Sequence, residues 1–300
     1  MSLPITIALF AALAQSGEPA APKLILVATH PALGSIAKQV GGERVEVTNI
    51  TRPTWDIHSV EAKPSVFAHL SNADVFVHTG LDLELWADPA LKGSRNRKIA
   101  RGEPGNIDAS QGVKLLQIPE NPSRREGDVH IYGNPHYWMD PLNALTISTN
   151  IAAGLAAVDP GSARLYLENS NAFQADLKDR LKTWLRRAIP RKNSQMVVYH
   201  DSFPYFCRRF GFRVADTLEP KPRIPPTQQH LLSVIETIES RQVPVLVREP
   251  FHDRDATDFV AERTGAKVVT LGTMPGFAPG TETYQDLIEY DLDTFLGAIP

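Results

Sequence analysis

The chain has one cysteine in 300 residues, Cys207. A single thiol excludes an intrachain disulfide, and its place far along the chain is not that of a lipid-anchor cysteine behind a leader. It falls in the helical run Phe206-Cys207-Arg208-Arg209-Phe210, where a buried small hydrophobe is expected. An excess of basic charge is missing too: 31 Lys and Arg stand against 34 Asp and Glu, a net charge of −3. That removes the electrostatic case for nucleic acid, which needs a basic face. Beyond the N-terminus no stretch has the ~18 uninterrupted apolar residues of a membrane helix. Proline, by contrast, is plentiful at 24 residues, so loops should be many and stiff.

The first residues form a short apolar stretch ending in Ala12-Leu13-Ala14, followed by a Gly/Pro/Ala-rich spacer. This looks like a secretory signal peptide, although no Lys or Arg stands near Met1. Residues 1–22 are therefore expected to be leader and spacer, and the protein to work in the periplasm or another extracytoplasmic space.

From Lys23 onward, short β-branched runs alternate with helical runs, the pattern of parallel βαβ units covered by helices on both faces. Strands are expected at Leu24–Ala28, Val45–Ile50, Val75–Thr79 and Val113–Ile118, with helices at Leu33–Val40 and Lys63–Asn72. Gly161–Ile189 breaks that rhythm with apolar residues at helical spacing among charges, and would extend roughly 40 Å. The βα pattern then resumes, with strands at Gln195–Tyr199, Val245–Val247 and Val268–Leu271. The expected fold class is thus α/β, two βα lobes with mainly parallel sheets: an N-terminal lobe over 23–158, a connecting helix over 159–190 and a C-terminal lobe over 191–300. The proline-dense segment Glu219–Pro226 reads as a rigid surface loop. A monomer is expected.

Three histidines stand in polar, turn-rich settings: His58 in Pro53-Thr54-Trp55-Asp56-Ile57-His58, His136 in Gly133-Asn134-Pro135-His136, and His200 after Val197-Val198-Tyr199. They lie 78 and 64 residues apart, so only the tertiary fold can bring them together. Three neutral imidazoles suit Zn²⁺ or a similar borderline cation. In open parallel sheets ligands gather beyond the carboxyl ends of the strands, and His30, His58, His200 and Glu249 all fall there. His69 and His230 read as helix-surface residues, His78 as a hydrogen-bonded strand residue, and His130 and His252 as loop residues more often peripheral than metal-bound.

The local sequences carry more. The segment Thr51-Arg-Pro-Thr-Trp-Asp-Ile-His58-Ser-Val-Glu61-Ala-Lys-Pro64-Ser65 resembles that around the first metal ligand in the metal-binding subunits of zinc and manganese ABC transporters, the cluster A-I solute-binding proteins. The likeness continues through Leu70-Ser-Asn-Ala-Asp74, Thr79-Gly80-Leu81-Asp-Leu-Glu84-Leu-Trp86, Pro135-His136-Tyr-Trp-Met-Asp140-Pro141, His200-Asp201-Ser-Phe-Pro-Tyr205-Phe206, Glu249-Pro250-Phe251 and Thr264-Gly265-Ala266-Lys267-Val268. It covers nearly the whole chain after the leader, in order.

The resemblance implies two lobes, a long backbone helix and one metal ion in the cleft between them, carried to a membrane permease without covalent chemistry. By motif position the ligands are His58, His136 and His200. A histidine at the third position resembles the zinc-type members, with Mn²⁺ as the alternative cargo.

Two departures stand out. Many relatives supply a carboxylate from the loop before the last helix, but here Leu271-Gly-Thr-Met-Pro-Gly-Phe-Ala-Pro-Gly-Thr-Glu282 has no Asp where one is expected. The fourth position is left to water, Glu249 or another loop residue. The long His/Asp/Glu-rich loop of many zinc-specific members is replaced by Arg124-Arg-Glu-Gly-Asp-Val-His130.

Around ligating imidazoles, carboxylates that accept the second ring N–H are expected, and Glu61, Asp140, Asp201 and Glu249 are the candidates. The competing readings are the same transport role with Mn²⁺ or Fe²⁺, and a zinc hydrolase with three histidines, a water and Glu249 as base.

Overall fold

A computed structural model describes residues 22–120, 130–221 and 224–300. The leader expected over 1–22 lies outside them except for its last residue, as does the segment 124–129.

The first element among the described residues is β1 (Leu24–Ala28), whose Leu26, Val27 and Ala28 are fully buried. Such a run is that of a parallel strand covered on both faces. It is followed by α1 (Pro31–Gly41), β2 (Val45–Asn49), α2 (Pro64–Asn72), β3 (Val75–His78), α3 (Ala87–Ser94) and β4 (Asn106–Asp108). These strands form one parallel sheet in the order β2-β1-β3-β4. Next come α4 (Pro141–Val158) and α5 (Ala163–Ala188). The second lobe contains β5 (Gln195–Val198), α6 (Pro204–Phe210), β6 (Arg213–Thr217), α7 (Gln228–Arg241), β7 (Val245–Arg248), α8 (Asp255–Thr264), β8 (Lys267–Thr270) and α9 (Tyr284–Ala298). Its sheet, also parallel, has the order β6-β5-β7-β8, so the two lobes repeat one topology.

The prolines that look hostile to helices start several of them. Pro31, Pro64, Pro141 and Pro204 are the first residues of α1, α2, α4 and α6, where a missing N–H costs nothing and φ is already helical.

The long helix α5 buries Tyr166, Ser170, Phe173, Leu177, Leu181, Trp184 and Ala188, one stripe at i+3/i+4 spacing. That stripe meets α1 and α4 of the first lobe and α9 of the second. One continuous apolar core therefore runs from Leu26 and Val77 through Phe173 and Trp184 to Val247 and Phe295. Arg44 and Tyr166 both bond the Asp159 carboxylate (2.9 and 2.8 Å), fixing the start of α5 against the end of α4.

Two expectations need correction. Val113–Ile118 is not the fourth strand; Asn106–Asp108 takes that place beside β3. The Val113–Ile118 backbone is used otherwise: Leu116 N–H donates across the cleft to Tyr205 Oη (3.0 Å), and its carbonyl accepts from Asn134 N–H of the same lobe (2.9 Å). β6 and α3 were not anticipated. β6 is a partly exposed edge strand, Arg-Val-Ala-Asp-Thr, without the apolar run that marks its neighbours. Other element ends differ by a few residues, within the usual fraying.

Candidate metal centre

Each of the three spaced histidines is aimed by a local device. His58 lies in a short 3₁₀ turn, Ile57–Ser59, beyond β2, where the Asp56 carboxylate accepts from His58 N–H (2.8 Å) and Ser59 Oγ–H (2.6 Å). His136 precedes α4. Asn134 Oδ1 accepts from its backbone N–H (2.9 Å) and lies 3.1 Å from its Nδ1. The Asn134 amide nitrogen donates to Gln117 Oε1 and to the Asp201 carbonyl, both at 2.8 Å. With that amide group committed as donor, Oδ1 must accept, so His136 Nδ1 carries the proton and Nε2 presents a lone pair.

His200 sits two residues beyond β5, and its Nδ1 lies 2.6 Å from Glu219 Oε2. A carboxylate accepts only, so here too Nδ1 carries the proton, and in the neutral ring Nε2 holds the lone pair. His200 Nε2 is buried without a hydrogen-bond partner among the described residues.

The rings meet. His58 Nε2 and His136 Nε2 are 3.2 Å apart. Ring centroids are 4.9 Å apart for His58–His200 and 5.2 Å for both His58–His136 and His136–His200. In a tetrahedral site with metal–nitrogen bonds near 2.0–2.1 Å, ligand nitrogens are about 3.3 Å apart. The His58–His136 pair already has that spacing. His130 joins the group at 5.0 Å from His58, centroid to centroid, and 6.2 Å from His136. One ring nitrogen from each of His58, His130 and His200 lies within 4.8 Å of the other two. Among the described residues, that group contains no carboxylate.

Burial and neighbouring charge divide the imidazoles. His136 is held well below the ordinary histidine range, first by burial and then by the fields of His58, His200, His130 and His30. For His200, burial acts in the same direction, but the Glu219 hydrogen bond and the fields of Glu249, Glu219 and Asp56 together outweigh it and raise its pKa.

The remaining candidates are engaged elsewhere. His30 is buried behind the cluster, with Nε2 3.1 Å from Thr79 Oγ1 and its ring 4.4 Å from Trp138. Glu61 is exposed on the rim of a cavity shared with Trp55 and Phe251. Asp140 caps α4 through Leu142 N–H and pairs with Arg209. Asp201 accepts from Gln117 Nε2 (2.8 Å), its charge disfavoured by burial. Glu249 is fully buried, accepting from Ser202 Oγ–H (2.6 Å) and facing His252 Nδ1 (3.0 Å).

The loop from which relatives would supply a carboxylate is tied down: Trp138 Nε1–H donates to the Thr273 carbonyl at 2.7 Å, and Met274 is fully buried. Two contributors escaped the sequence reading. Glu219 was hidden in the proline-rich loop because β6 before it was not recognised, and Asn134 had only its place two residues before His136 to mark it.

Two parallel-sheet lobes, a long helix joining them and a histidine cluster between their strand ends define a two-lobed substrate-binding protein. Residues 26–298 match the model of the zinc-uptake complex component A, periplasmic, and the chain belongs to that family, the metal-binding substrate-binding proteins of ABC transporters. The iron-binding protein YfeA of Yersinia pestis is 27% identical over 95% of this chain and 89% of its own length. The manganese-binding lipoprotein MntA of Halalkalibacterium halodurans is 25% identical over 92% and 88%. Among solved structures, a crystal structure of ZnuA superposes with a TM-score of 0.77, 23% identity and coverage of 92% of this chain and 99% of the other. The protein is accordingly a binding component and not an enzyme, which removes the hydrolase reading.

Proposed function

We propose that the cargo is Zn²⁺, held by His58, His136 and His200, and that the protein carries it outside the cytoplasm to an ABC permease. The observation that carries this reading is the convergence of imidazole nitrogens, two of them with Nε2 freed by a defined partner on Nδ1. Neutral imidazole suits zinc, whereas Mn²⁺ favours oxygen donors. All three side chains come from one chain, which supports a monomer as the working unit. The family's periplasmic character supports export by the leader at residues 1–22.

The test is competition titration of the apo protein with Zn²⁺, Mn²⁺ and Fe²⁺. Zinc is expected to bind tightest, and His58→Ala, His136→Ala and His200→Ala each to weaken it at least tenfold with unchanged circular dichroism. Preference for Mn²⁺ or Fe²⁺ over Zn²⁺ would overturn the zinc assignment, and an unchanged affinity in any one variant would remove that residue from the ligand set.

A further inference from the structure

The three-histidine reading leaves a tetrahedral ion one ligand short. Oxygen candidates near the site are already committed: both Glu249 oxygens face partners, and the Thr273 carbonyl accepts from Trp138. Glu219 points its carboxylate at the back of His200. What faces the cluster from the remaining side is a fourth imidazole.

His130 is delivered there by a built turn. Its carbonyl accepts from Gly133 N–H (3.1 Å), and Gly133 adopts φ +114°, in the region that favours glycine. A Cβ at that position would stand 2.8 Å from the Leu116 carbonyl oxygen. The turn thus needs glycine both for its backbone angle and for the close approach of Leu116, and it leads directly into Asn134 and His136. His130 and His200 also line a cavity of about 470 Å³, together with Gln117, Asn134, Asp201 and Glu219. Its walls come from both lobes. His130 is therefore, with His200, a histidine of the cluster that lines this interlobe cavity.

Resting on the zinc-binding reading above, we propose that His130 is the fourth ligand, closing an all-nitrogen sphere that selects a borderline cation over Mn²⁺. Binding would draw its ring nitrogen inward, from within 4.8 Å of the His58 and His200 nitrogens and from a ring 6.2 Å from that of His136, toward the tetrahedral spacing. Four imidazoles offer no oxygen donor, which disfavours Mn²⁺. As a half-buried ligand on the wall of that cavity, His130 also slows the ion's departure.

The experiment uses the full chain, stripped of metal, with His130→Ala, His130→Gln and His130→Asp beside His58→Ala. Zn²⁺ and Mn²⁺ affinities are measured by competition titration, zinc release by transfer to a chelator, and coordination by the visible absorption of the Co²⁺ form. His130→Ala and His130→Gln should each weaken Zn²⁺ at least tenfold, speed its release similarly and replace the tetrahedral Co²⁺ spectrum with a weaker one. His130→Asp should narrow the preference for Zn²⁺ over Mn²⁺ by at least tenfold. If the His130 variants keep wild-type affinity, release and spectrum while His58→Ala loses binding, His130 is not a ligand and the three-histidine site stands. If His58→Ala also binds as wild type, the metal site itself is misplaced and this proposal falls with it.

Discussion

His200 and Glu219 share a 2.6 Å hydrogen bond, with 8% of each side chain exposed. The pairing is an extension of the sheet: β5 and β6 are parallel neighbours, and Glu219 N–H continues their ladder by donating to the Tyr199 carbonyl at 2.8 Å. Two residues just beyond adjacent strand ends are thereby placed side by side, one to face the cleft and the other to hold it.

This carboxylate does two things for a ligating imidazole: it fixes the tautomer and makes Nε2 more basic. Glu219→Gln keeps a hydrogen-bond acceptor of the same length but removes the charge. Partners of this kind usually contribute 10–100-fold to metal affinity. The variant should weaken zinc binding by about tenfold while the apo protein melts as before. Wild-type affinity in Glu219→Gln would mean that the hydrogen bond only packs the loop.

Much of this arrangement was legible in the sequence, for stated reasons. His58 and His200 follow β-branched runs, which places them near strand ends, whereas His136, opening a helix behind a Gly-Asn-Pro turn, is joined to them by the family resemblance of its motif. His130 had no such mark: its place depends on Gly133 crossing the Leu116 backbone, a contact between segments distant in sequence. Val113–Ile118 has strand-like composition, yet its backbone partners are Asn134 and Tyr205, and that tertiary pairing overrides local propensity. Glu219 was lost with β6, whose half-exposed residues show no apolar run. Local pattern thus reaches the covered strands and the helices, while edge strands and cleft-crossing loops are decided by contacts it does not contain.

Beside the cluster, Asp140 of the first lobe and Arg209 of the second form a two-pronged ion pair, Nε to Oδ1 at 2.6 Å and Nη2 to Oδ2 at 2.8 Å. The Asp140 side chain is 6% exposed and also caps α4 through Leu142 N–H at 2.9 Å. Asp140→Asn retains an acceptor for the cap but leaves a largely buried guanidinium without its counter-charge. Removing one partner of such a pair costs on the order of 3 kcal/mol. Denaturant unfolding of the apo protein should show a loss of that order, with Arg209→Lys intermediate because an ammonium cannot match the carboxylate at two points. Since Asp140 bonds none of the four histidines, zinc affinity should change far less than in His136→Ala. A variant as stable as the wild type would show that the clasp adds nothing net.

His30 contributes to the pH dependence of the fold. It is fully buried, and burial lowers its pKa from 6.5 to about 3. Between those values the unfolded chain binds a proton that the folded chain refuses, so folding weakens as pH falls from about 6.5 toward 3 and is unaffected by this group above 6.5. The span corresponds to an effect on the order of 5 kcal/mol. His136, also held neutral by burial, acts in the same direction. His30→Gln keeps a polar group that can bond Thr79 but does not titrate. Its apo form should therefore lose less stability than the wild type on going from pH 6.5 to 4, even where it starts slightly less stable at pH 7. Denaturant midpoints taken across that range would decide it: parallel wild-type and variant curves would show that His30 escapes to solvent before it protonates.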